Sequence, residues 1–545
     1  MKKNTQVITF GIGLLLACRL VVDCPAADEH PRAESEKPSR TEVGFNADWR
    51  FLKGSPAGGE AMAFDDAKWV RVRLPHDWAI AGPFQRELNG QFGKVAWQGV
   101  AWYRKHFQLP AEAKGKRVYL DFDGAMAAPK VYINGKLAGQ CDYGYMSFRV
   151  DTTPFVNFSG ENVVAVSTDT TAHGTRWYPG AGIYRKVTMT LCDPVHVAQW
   201  GTQITTPTVN DHEALVRMRT TVVLNLPPAK TRVTLESILL SPEGTEVGRT
   251  RSEATVTGGL HHVFDQSMTL KQFQRWDLGQ PALYTVRSMV SADGKLCDTY
   301  ESSFGIRTIE WTADDGLHLN GRRVQLKGVN LHHDHGPLGA AFYRRAMERQ
   351  IEILKDMGCN AIRTSHNVQS PELLELCDRM GMLVYNEAFD KWRGDGPKAD
   401  RDMVHKTLLD FVRRDRNHPS VICWSIGNEI PHVEMNEVGN APELVKLFTD
   451  AVRLMDPTRP VTLGCFISAG LDKGIHPFID FNDFHYGRHY VAAKQAFPNR
   501  PSVYSESASA ISTRGFYKLP LPKNKKDYAV EDLQIDSYDL NAAGW

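Results

Sequence analysis

The stretch "SVICWSIGNEI", residues 420–430, is an apolar run that ends in a carboxylate. Its residues Ile422, Trp424 and Ile426 are typical of a strand that is buried on both faces, as in a parallel sheet. A strand of this kind usually ends in a neutral turn, but this one ends in Asn428 and Glu429. The charged end therefore indicates a functional position.

Similar apolar strands alternate with helical segments on both sides of this stretch. Helices are expected at about 343–357, 371–380, 402–416 and 441–455. This alternation predicts a parallel β/α fold, and seven strands in a row predict a (β/α)₈ TIM barrel. Besides residues 420–430, the predicted strands are "RVQLKGVNLH" (323–332), "NAIRTSH" (360–366), "MLVYNEA" (382–388), "PVTLGC" (460–465), "DFNDFHYG" (480–487) and "PSVYSES" (501–507).

The predicted barrel stops one strand short of eight. After residue 507 the sequence is polar and rich in loop-forming residues up to residue 545, with no further apolar strand. A barrel without its last strand exposes two strand edges, which is a structural defect. We therefore expect a TIM-barrel domain at 308–545 that is incomplete, as if the chain were truncated at its C-terminus.

Two β-rich domains are predicted before the barrel, which makes the fold class multidomain β plus α/β. At 41–193, alternation in "RVYLDFDG" (117–124) and a hairpin in "KVYINGKLAG" (130–139) predict a jelly-roll β-sandwich. At 194–307, short alternating runs such as "RVTLESILLS" (232–241) predict an immunoglobulin-like β-sandwich.

The N-terminus has the pattern of an export signal. Lys2 and Lys3 precede an apolar run at 7–16, and small residues follow at 26–27, so a signal peptide is expected at 1–27. Residues 28–40 are charged and contain two prolines, which predicts a disordered linker. We expect a periplasmic or extracellular protein, with lipid anchoring through Cys18 of "LLAC" as an alternative. The apolar run is about half the ~20 residues that span a bilayer, so no transmembrane span is expected.

Charge and cysteine content narrow the classes of partner. The 64 basic and 63 acidic residues leave a net charge of +1, which argues against a nucleic-acid partner because such partners require a basic excess. The nine cysteines form no CxxC pair, so a zinc ribbon is not supported. The sequence leaves oligomerisation open.

Polar side chains follow the predicted barrel strands, at the end where active sites of TIM barrels lie. Glu429 and Glu506 are the notable pair, because each follows a strongly apolar strand. Two facing carboxyl groups can hydrolyse a glycosidic bond, since one with a raised pKa protonates the leaving oxygen while the other attacks the anomeric carbon. Either residue taken alone could instead serve a salt bridge or a helix cap.

The cluster "HHDH", residues 332–335, raises the alternative of a metal hydrolase. Successive strand residues point to opposite faces, so His332 and His333 do not easily share one ion. The zinc motif HExxH is absent. Contacts to a loop or to a substrate hydroxyl are favoured over a metal site.

Several motifs resemble glycoside hydrolase family 2, in particular its branch of exported bacterial β-galactosidases. "LPHDW" (74–78), "AWYRKHF" (101–107) and "RWYPGAGIYR" (176–185) are similar to its sugar-binding sandwich. "GVNLHHDHGPLGAAF" (328–342), "NAIRTSHN" (360–367), "WSIGNE" (424–429) and "YSESASAISTRG" (504–515) are similar to its barrel.

The resemblance implies a retaining, exo-acting glycosidase that cleaves terminal β-linked sugars, above all β-D-galactosides, by double displacement and without a cofactor. It implies that Glu429 is the acid/base, Glu506 the nucleophile, and Asn428 the partner of the sugar 2-hydroxyl. No His follows "NEAFDKWRG" (386–394), so no metal is expected there. The other residues expected to bind substrate are Arg363, His366, His333, Asp334, His485 and Tyr486.

Three alternatives remain open at this point. The same family contains β-glucuronidases and β-mannosidases, which share the two glutamates. A barrel without its last strand is also compatible with a catalytically inactive sugar-binding protein. In each case the expected partner is a carbohydrate.

Overall fold

The structure is a computed structural model that describes residues 40–82, 98–172, 177–257, 259, 261–393, 400–430, 440–464, 474–485 and 490–507. The predicted signal peptide and residues 28–39 of the predicted linker lie outside these ranges. Arg40, the last linker residue, is ordered, because its guanidinium binds the buried Asp298 carboxylate at 2.8 Å and the Val197 carbonyl at 2.9 Å. Arg40 thus contacts the second domain, and the prediction of a linker at 28–40 stays a prediction.

The first domain is a sandwich of two antiparallel sheets, ordered β1-β10-β5-β8 and β3-β2-β4-β9-β6-β7. Asn134 and Gly135, both with positive φ, form the predicted hairpin turn between β6 and β7. The sandwich strands are β1 (Thr41–Gly44), β2 (Trp49–Lys53), β3 (Val70–Val72), β4 (Val100–Gln108), β5 (Arg117–Phe122), β6 (Lys130–Ile133), β7 (Lys136–Gln140), β8 (Phe148–Asp151), β9 (Glu161–Asp169) and β10 (Val187–Cys192).

The second domain is the predicted immunoglobulin-like sandwich, with sheets β11-β12-β15 and β14-β13-β16-β17. Its strands alternate between buried and more exposed residues, as expected when one face of each sheet packs on the core. These strands are β11 (Val195–Val209), β12 (Ala214–Leu224), β13 (Lys230–Leu240), β14 (Glu246–Thr257), β15 (His261–Leu270), β16 (Tyr284–Ala292) and β17 (Lys295–Phe304).

A small antiparallel sheet follows and packs against the barrel strands. Leu317 and Leu319 of this sheet are buried together with Ala361, Leu383 and Ile422, which lie at or near the amino-terminal ends of barrel strands. The sheet therefore covers the end of the barrel opposite to Glu429. Its strands are β18 (Ile309–Thr312), β19 (Gly316–Leu319) and β20 (Arg322–Arg323).

The third domain contains the seven predicted barrel strands, which pair in parallel as a five-stranded sheet, β21 to β25, and a two-stranded sheet, β26 and β27. The strands are β21 (Gly328–Leu331), β22 (Ala361–Thr364), β23 (Leu383–Glu387), β24 (Val421–Asn428), β25 (Val461–Gly464), β26 (Asn482–His485) and β27 (Ser502–Glu506). Its helices are α1 (Arg344–Asp356), α2 (Pro371–Met380), α3 (Arg401–Asp415), α4 (Ala441–Met455) and α5 (Tyr490–Ala496). Residues 508–545, for which no eighth strand was predicted, lie outside the described residues, so the prediction of an incomplete barrel stays a prediction.

Local sequence explains where the barrel helices begin and end. Pro371 occupies the first turn of α2, and Asp400 caps α3 by accepting the Asp402 and Met403 N–H groups at 3.0 Å. Gly381 ends α2 with φ of 66° and lies so close to the Leu278 carbonyl that a Cβ could not be accommodated.

The predicted fold class is thus confirmed in all three domains. β24 is buried along its whole length, as its apolar sequence requires. Within the described part of the chain, no helix is long and apolar enough to cross a bilayer.

Candidate active site

Glu429 and Glu506 lie together at the carboxyl ends of the barrel strands. Glu429 follows β24 with φ of +44°, and its N–H donates to the Gly464 carbonyl at 2.7 Å. Glu506 is the last residue of β27. One carboxylate oxygen of each residue and one ring nitrogen of His485 all lie within 4.8 Å of one another. The structure therefore brings the predicted pair of carboxylates into one site.

Arg363, at the end of β22, holds three of the polar groups in this site. Its guanidinium donates to Glu506 at 2.8 Å, to Glu387 at 2.7 Å and to the Asn428 side-chain oxygen at 2.9 Å. Burial opposes the charged form of Arg363, but the carboxylates of Glu387 and Glu506 raise its pKa above the ordinary value. Arg363 therefore stays cationic and keeps Glu506 beside a fixed positive charge.

Glu387 is a buried carboxylate that Arg363 links to Glu506, and it was not predicted as a site residue. Burial raises its pKa, while Arg363 and the Ser425 hydroxyl, at 2.7 Å, lower it in part. Glu387 also lies 2.7 Å from Nδ1 of His366, whose pKa is well below its ordinary value because of burial and the nearby Arg363. His366 is thus a neutral imidazole, oriented by Glu387.

Both the oxygen and the nitrogen of the Asn428 side-chain amide form hydrogen bonds. Its oxygen accepts from Arg363, and its Nδ2 donates to Asp390 at 3.0 Å. Lys391 in turn donates to Asp390 at 3.0 Å and to the Asn428 carbonyl at 2.8 Å. The amide orientation is therefore fixed, and Nδ2 retains a second hydrogen.

A chain of hydrogen bonds leads from Glu429 into the barrel. His485 contacts Glu429 through Nδ1 at 2.7 Å and the Ser505 hydroxyl through Nε2 at 2.9 Å. The Ser505 hydroxyl donates to the buried Asp483, which also accepts from the Tyr385 hydroxyl. Because Ser505 donates to Asp483, its oxygen accepts from His485, so Nε2 carries a proton. Burial raises the pKa of Asp483, and His485 offsets part of that increase.

Three of the predicted substrate-binding residues are not brought to the carboxylate pair by any described contact. His333 is buried against Tyr145 and Tyr184 of the first sandwich, and its Nε2 lies 2.9 Å from the Tyr178 carbonyl. Asp334 accepts from the Gly336 N–H at 3.2 Å, which is a local turn contact. Tyr486 lies outside the described residues. Their roles in substrate binding stay predictions.

Trp177 of the first sandwich reaches the barrel site, which sequence reasoning missed. Its ring centroid lies 4.3 Å from that of His332 and 5.7 Å from that of His366. His332 and His333 thus point to different neighbours, as strand alternation predicted. The motif "RWYPGAGIYR" contained Trp177, but no periodicity links residue 177 to residue 332.

The carboxylate site around Glu429 and Glu506 also resembles a cation site in its donor atoms. Glu429, His485 and Glu506 provide ligand atoms at a suitable spacing for a cation. However, the Arg363 guanidinium already binds Glu506, which places a positive charge next to any such ion. The donor set therefore fits acid/base chemistry better than metal binding.

A jelly-roll sandwich, an immunoglobulin-like sandwich and a β/α barrel, with facing glutamates at the carboxyl ends of barrel strands, define the architecture of a multidomain glycoside hydrolase. The family models agree with this class. Residues 69–177 match the glycosyl hydrolase 2 galactose-binding domain-like model, 195–307 the glycosyl hydrolases family 2 model, and 312–522 the glycosyl hydrolases family 2 TIM barrel model. The chain belongs to glycoside hydrolase family 2.

Relatives of known sequence and structure support this assignment. The chain is 40% identical to the β-galactosidase BoGH2A of Bacteroides ovatus, over 92% of this chain and 64% of that protein. A family 2 member from Bacteroides cellulosilyticus has a similar structure, with a TM-score of 0.79 and 36% identity over 86% of this chain and 64% of the other. The structure of Bacteroides uniformis β-glucuronidase 2, bound covalently to cyclophellitol-6-carboxylate aziridine, matches with a TM-score of 0.77 and 26% identity. The match covers 87% of this chain and 60% of the other. The chain thus spans less than two thirds of the length of these relatives.

Proposed function

We propose that this chain is a retaining, exo-acting β-glycosidase that acts on terminal β-D-galactosides. The observation that carries the proposal is the position of Glu429 and Glu506, whose nearest oxygens fall within 4.8 Å. Retaining enzymes place their two carboxyl groups about 5–5.5 Å apart, whereas inverting enzymes need roughly 6.5–9.5 Å to admit a water molecule. The observed separation favours double displacement.

Glu506 is the proposed nucleophile. Arg363 donates to it at 2.8 Å, which favours the carboxylate form that attack requires. Its oxygen forms a bond to the anomeric carbon while the bond to the leaving oxygen breaks, giving a covalent glycosyl-enzyme. Water then attacks the same carbon and releases Glu506 as a carboxylate.

Glu429 is the proposed acid/base, and His485 orients it. The 2.7 Å contact between Glu429 and Nδ1 of His485 must contain a proton, because two acceptors would repel each other at that distance. That proton is available to the leaving oxygen in the first step. In the second step the Glu429–His485 pair takes up a proton from the attacking water.

Asn428 is proposed to bind the sugar 2-hydroxyl through the remaining Nδ2 hydrogen. Arg363 and Asp390 fix the amide before substrate binds, so little orientational freedom is lost in the transition state. Trp177 of the first sandwich and His332, which follows β21, provide a pair of tilted aromatic rings, which suits an apolar sugar face.

A β-glucuronide is the second candidate substrate. The structural likeness to a β-glucuronidase supports it, whereas the likeness to BoGH2A supports a β-galactoside. Both substrates use the same pair of glutamates, so the difference lies in recognition of the sugar at C4 and C6. A panel of nitrophenyl β-galactoside, β-glucuronide and β-mannoside decides between them by kcat/KM.

We also propose that the protein works after export, in the periplasm or outside the cell. The support is the pattern of residues 1–27: two lysines, an apolar run and a small-residue cleavage site. Cleavage after about residue 27, read from the N-terminal sequence of protein recovered outside the cytoplasm, tests this. Attachment of lipid at Cys18 would place cleavage before that residue instead.

The proposed nucleophile is tested with Glu506→Gln and nitrophenyl β-galactoside. The amide cannot attack the anomeric carbon, so kcat is expected to fall by at least about 10⁴-fold. Glu375→Gln is a matched control, since that exposed glutamate lies on α2, away from the site, and should leave kcat unchanged. Retained activity in Glu506→Gln would remove Glu506 as the nucleophile.

A further inference from the structure

A cavity of about 380 Å³ lies where the immunoglobulin-like sandwich meets the barrel. Its walls come from the end of β11, the segment after β17, and the loops that precede β24 and β25. These loops lie at the amino-terminal ends of the barrel strands. Since β24 has eight residues at ~3.3 Å each, the cavity is separated from Glu429 by ~26 Å of strand.

The lining of this cavity is positively charged. Arg307, Arg416 and Arg459 contribute guanidinium groups. The lining contains no Asp or Glu among the residues that the structure describes. Its other polar members are the neutral side chains of Thr205, Thr206, Thr308, Thr458 and Asn417. Of these, Thr458 already donates to Asp456, and Asn417 to the Thr202 carbonyl.

The three arginines differ in how fully their own hydrogen bonds are satisfied. Arg459 donates to the carbonyls of Val421 and His418 at 2.8 Å and also pairs with Asp456. Arg307 donates to the backbone carbonyls of Pro419 and Val421 and forms no ion pair with a carboxylate among the described residues. The hydrogen bonds of Arg307 therefore go to neutral carbonyls, and the carboxylates of Asp456 and Asp378 act on it only from a greater distance.

Arg416 is the least satisfied of the three. Its two contacts to backbone carbonyls are long, at 3.5 Å to Met455 and 3.4 Å to Trp200. Its Nε is buried and has no hydrogen-bond partner among the described residues. A buried guanidinium N–H without an acceptor is costly, so the protein's own contacts satisfy Arg416 only in part.

The surroundings also disfavour the charged forms of Arg416 and Arg307. Burial, together with the nearby Arg413 and Arg219, lowers the pKa of Arg416 to about 10, although Asp456 opposes them. Burial and Arg459 also hold the pKa of Arg307 well below its ordinary value. Guanidinium groups nevertheless stay protonated at neutral pH, so the shifts measure the cost of gathering these charges.

We infer that this cavity is a binding site for a small oxyanion, a carboxylate, sulfate or phosphate group, which Arg416 and Arg307 would hold at the joint between the two domains. Guanidinium groups match such oxyanions in charge and in hydrogen-bond geometry. The volume admits a group carried on a molecule of monosaccharide size. Because the cavity lies at the far end of the barrel, binding there is separate from the proposed hydrolysis.

The test is calorimetric titration of the whole chain at constant ionic strength with inorganic phosphate, sulfate and glucuronate, and with galactose as a neutral control. We expect one saturable site for at least one oxyanion and none for galactose. If glucuronate binds more tightly than phosphate and sulfate, the ligand is a carboxylated sugar. If phosphate or sulfate binds more tightly than glucuronate, the ligand is a tetrahedral anion.

Substitutions connect the binding to the cavity. Arg416→Gln should weaken oxyanion binding at least tenfold, and Arg416→Lys, which keeps the charge but loses the planar fork, should weaken it about threefold. Arg413→Gln removes the same charge near the end of α3 but outside the cavity lining, and should stay within twofold. Absence of saturable oxyanion binding, or equal binding by the parent and both Arg416 variants, would overturn the inference.

Discussion

Arg363 is the residue on which the acidic site depends most. One buried guanidinium serves Glu506, Glu387 and Asn428, and these groups come from three other strands. The planar fork of arginine can meet several acceptors at once, whereas the ammonium of lysine is a single point charge. Positive charge alone therefore does not explain why residue 363 is an arginine and not a lysine.

Arg363→Lys should lower kcat/KM for nitrophenyl β-galactoside by about 10²-fold or more and destabilise the fold by ~3 kcal/mol. The reason is that a lysine ammonium cannot meet Glu506, the fully buried Glu387 and Asn428 together as the guanidinium does, which leaves buried polar groups unsatisfied. Urea unfolding and steady-state kinetics measure the two effects. Arg287→Lys, at an exposed pair with Glu301, is the control and should stay within ~0.5 kcal/mol. Parent-like activity in Arg363→Lys would contradict the account.

At the scale of elements, the small sheet β18–β20 determines how one end of the barrel is filled. Leu317 and Leu319 pack among buried residues near the starts of barrel strands, and Glu429 and Glu506 lie at the other end. In TIM barrels, residues at the amino-terminal ends of the strands usually serve stability, and residues at the carboxyl ends serve catalysis.

Leu319→Ala should therefore destabilise the protein by about 2–5 kcal/mol, since the fully buried side chain leaves a cavity. Its kcat/KM should change less than twofold at temperatures where it is folded. Leu454→Ala on α4 removes a leucine that is 73% exposed, and should cost no more than ~0.5 kcal/mol. A loss below 1 kcal/mol for Leu319→Ala would show that this sheet does not cover the barrel.

At the scale of the whole molecule, the first sandwich and the barrel share one apolar core. Buried residues from both domains, such as Tyr184 and Phe389, belong to a single packed cluster, whereas the immunoglobulin-like sandwich has its own clusters. Arg185 crosses this junction and donates to the Val368 carbonyl at 2.9 Å. The sandwich is thus a structural part of the site, to which it contributes Trp177.

Asp123, at this junction, makes stability depend on pH. Burial raises its pKa from 3.8 to about 6, although Lys186 lowers it in part. The folded state thus favours the protonated form, so stability is lost as pH rises from about 4 to above 6. Asp123→Asn removes that loss and should be more stable than the parent by ~3 kcal/mol at pH 8, with a much smaller gain near pH 4.

Urea unfolding at pH 4.5, 6 and 8 measures this difference. Asp314→Asn serves as the control, because its carboxylate is 99% exposed and its removal should have no pH-dependent effect. A gain for Asp123→Asn that is equal at every pH would show that Asp123 is already ionised throughout in the folded state.

The sequence predicted what depends on periodicity along the chain. The apolar runs of β24 and β27 placed Glu429 and Glu506 at the same end of parallel strands, and the structure brings the two residues together. Contacts between domains leave no such pattern. Nothing in the alternation of β21 shows that His332 meets Trp177 while His333 packs against Tyr184, because that choice depends on how the sandwich docks.

The central claim is that Glu429 and Glu506 are the acid/base and the nucleophile of a retaining glycosidase. The most direct measurement is azide rescue of Glu429→Ala with dinitrophenyl β-galactoside, followed by the anomeric configuration of the galactosyl azide. This leaving group needs no acid, so the glycosyl-enzyme should still form, and azide should speed turnover and give the β-azide. No rescue, or an α-azide, would contradict the assignment.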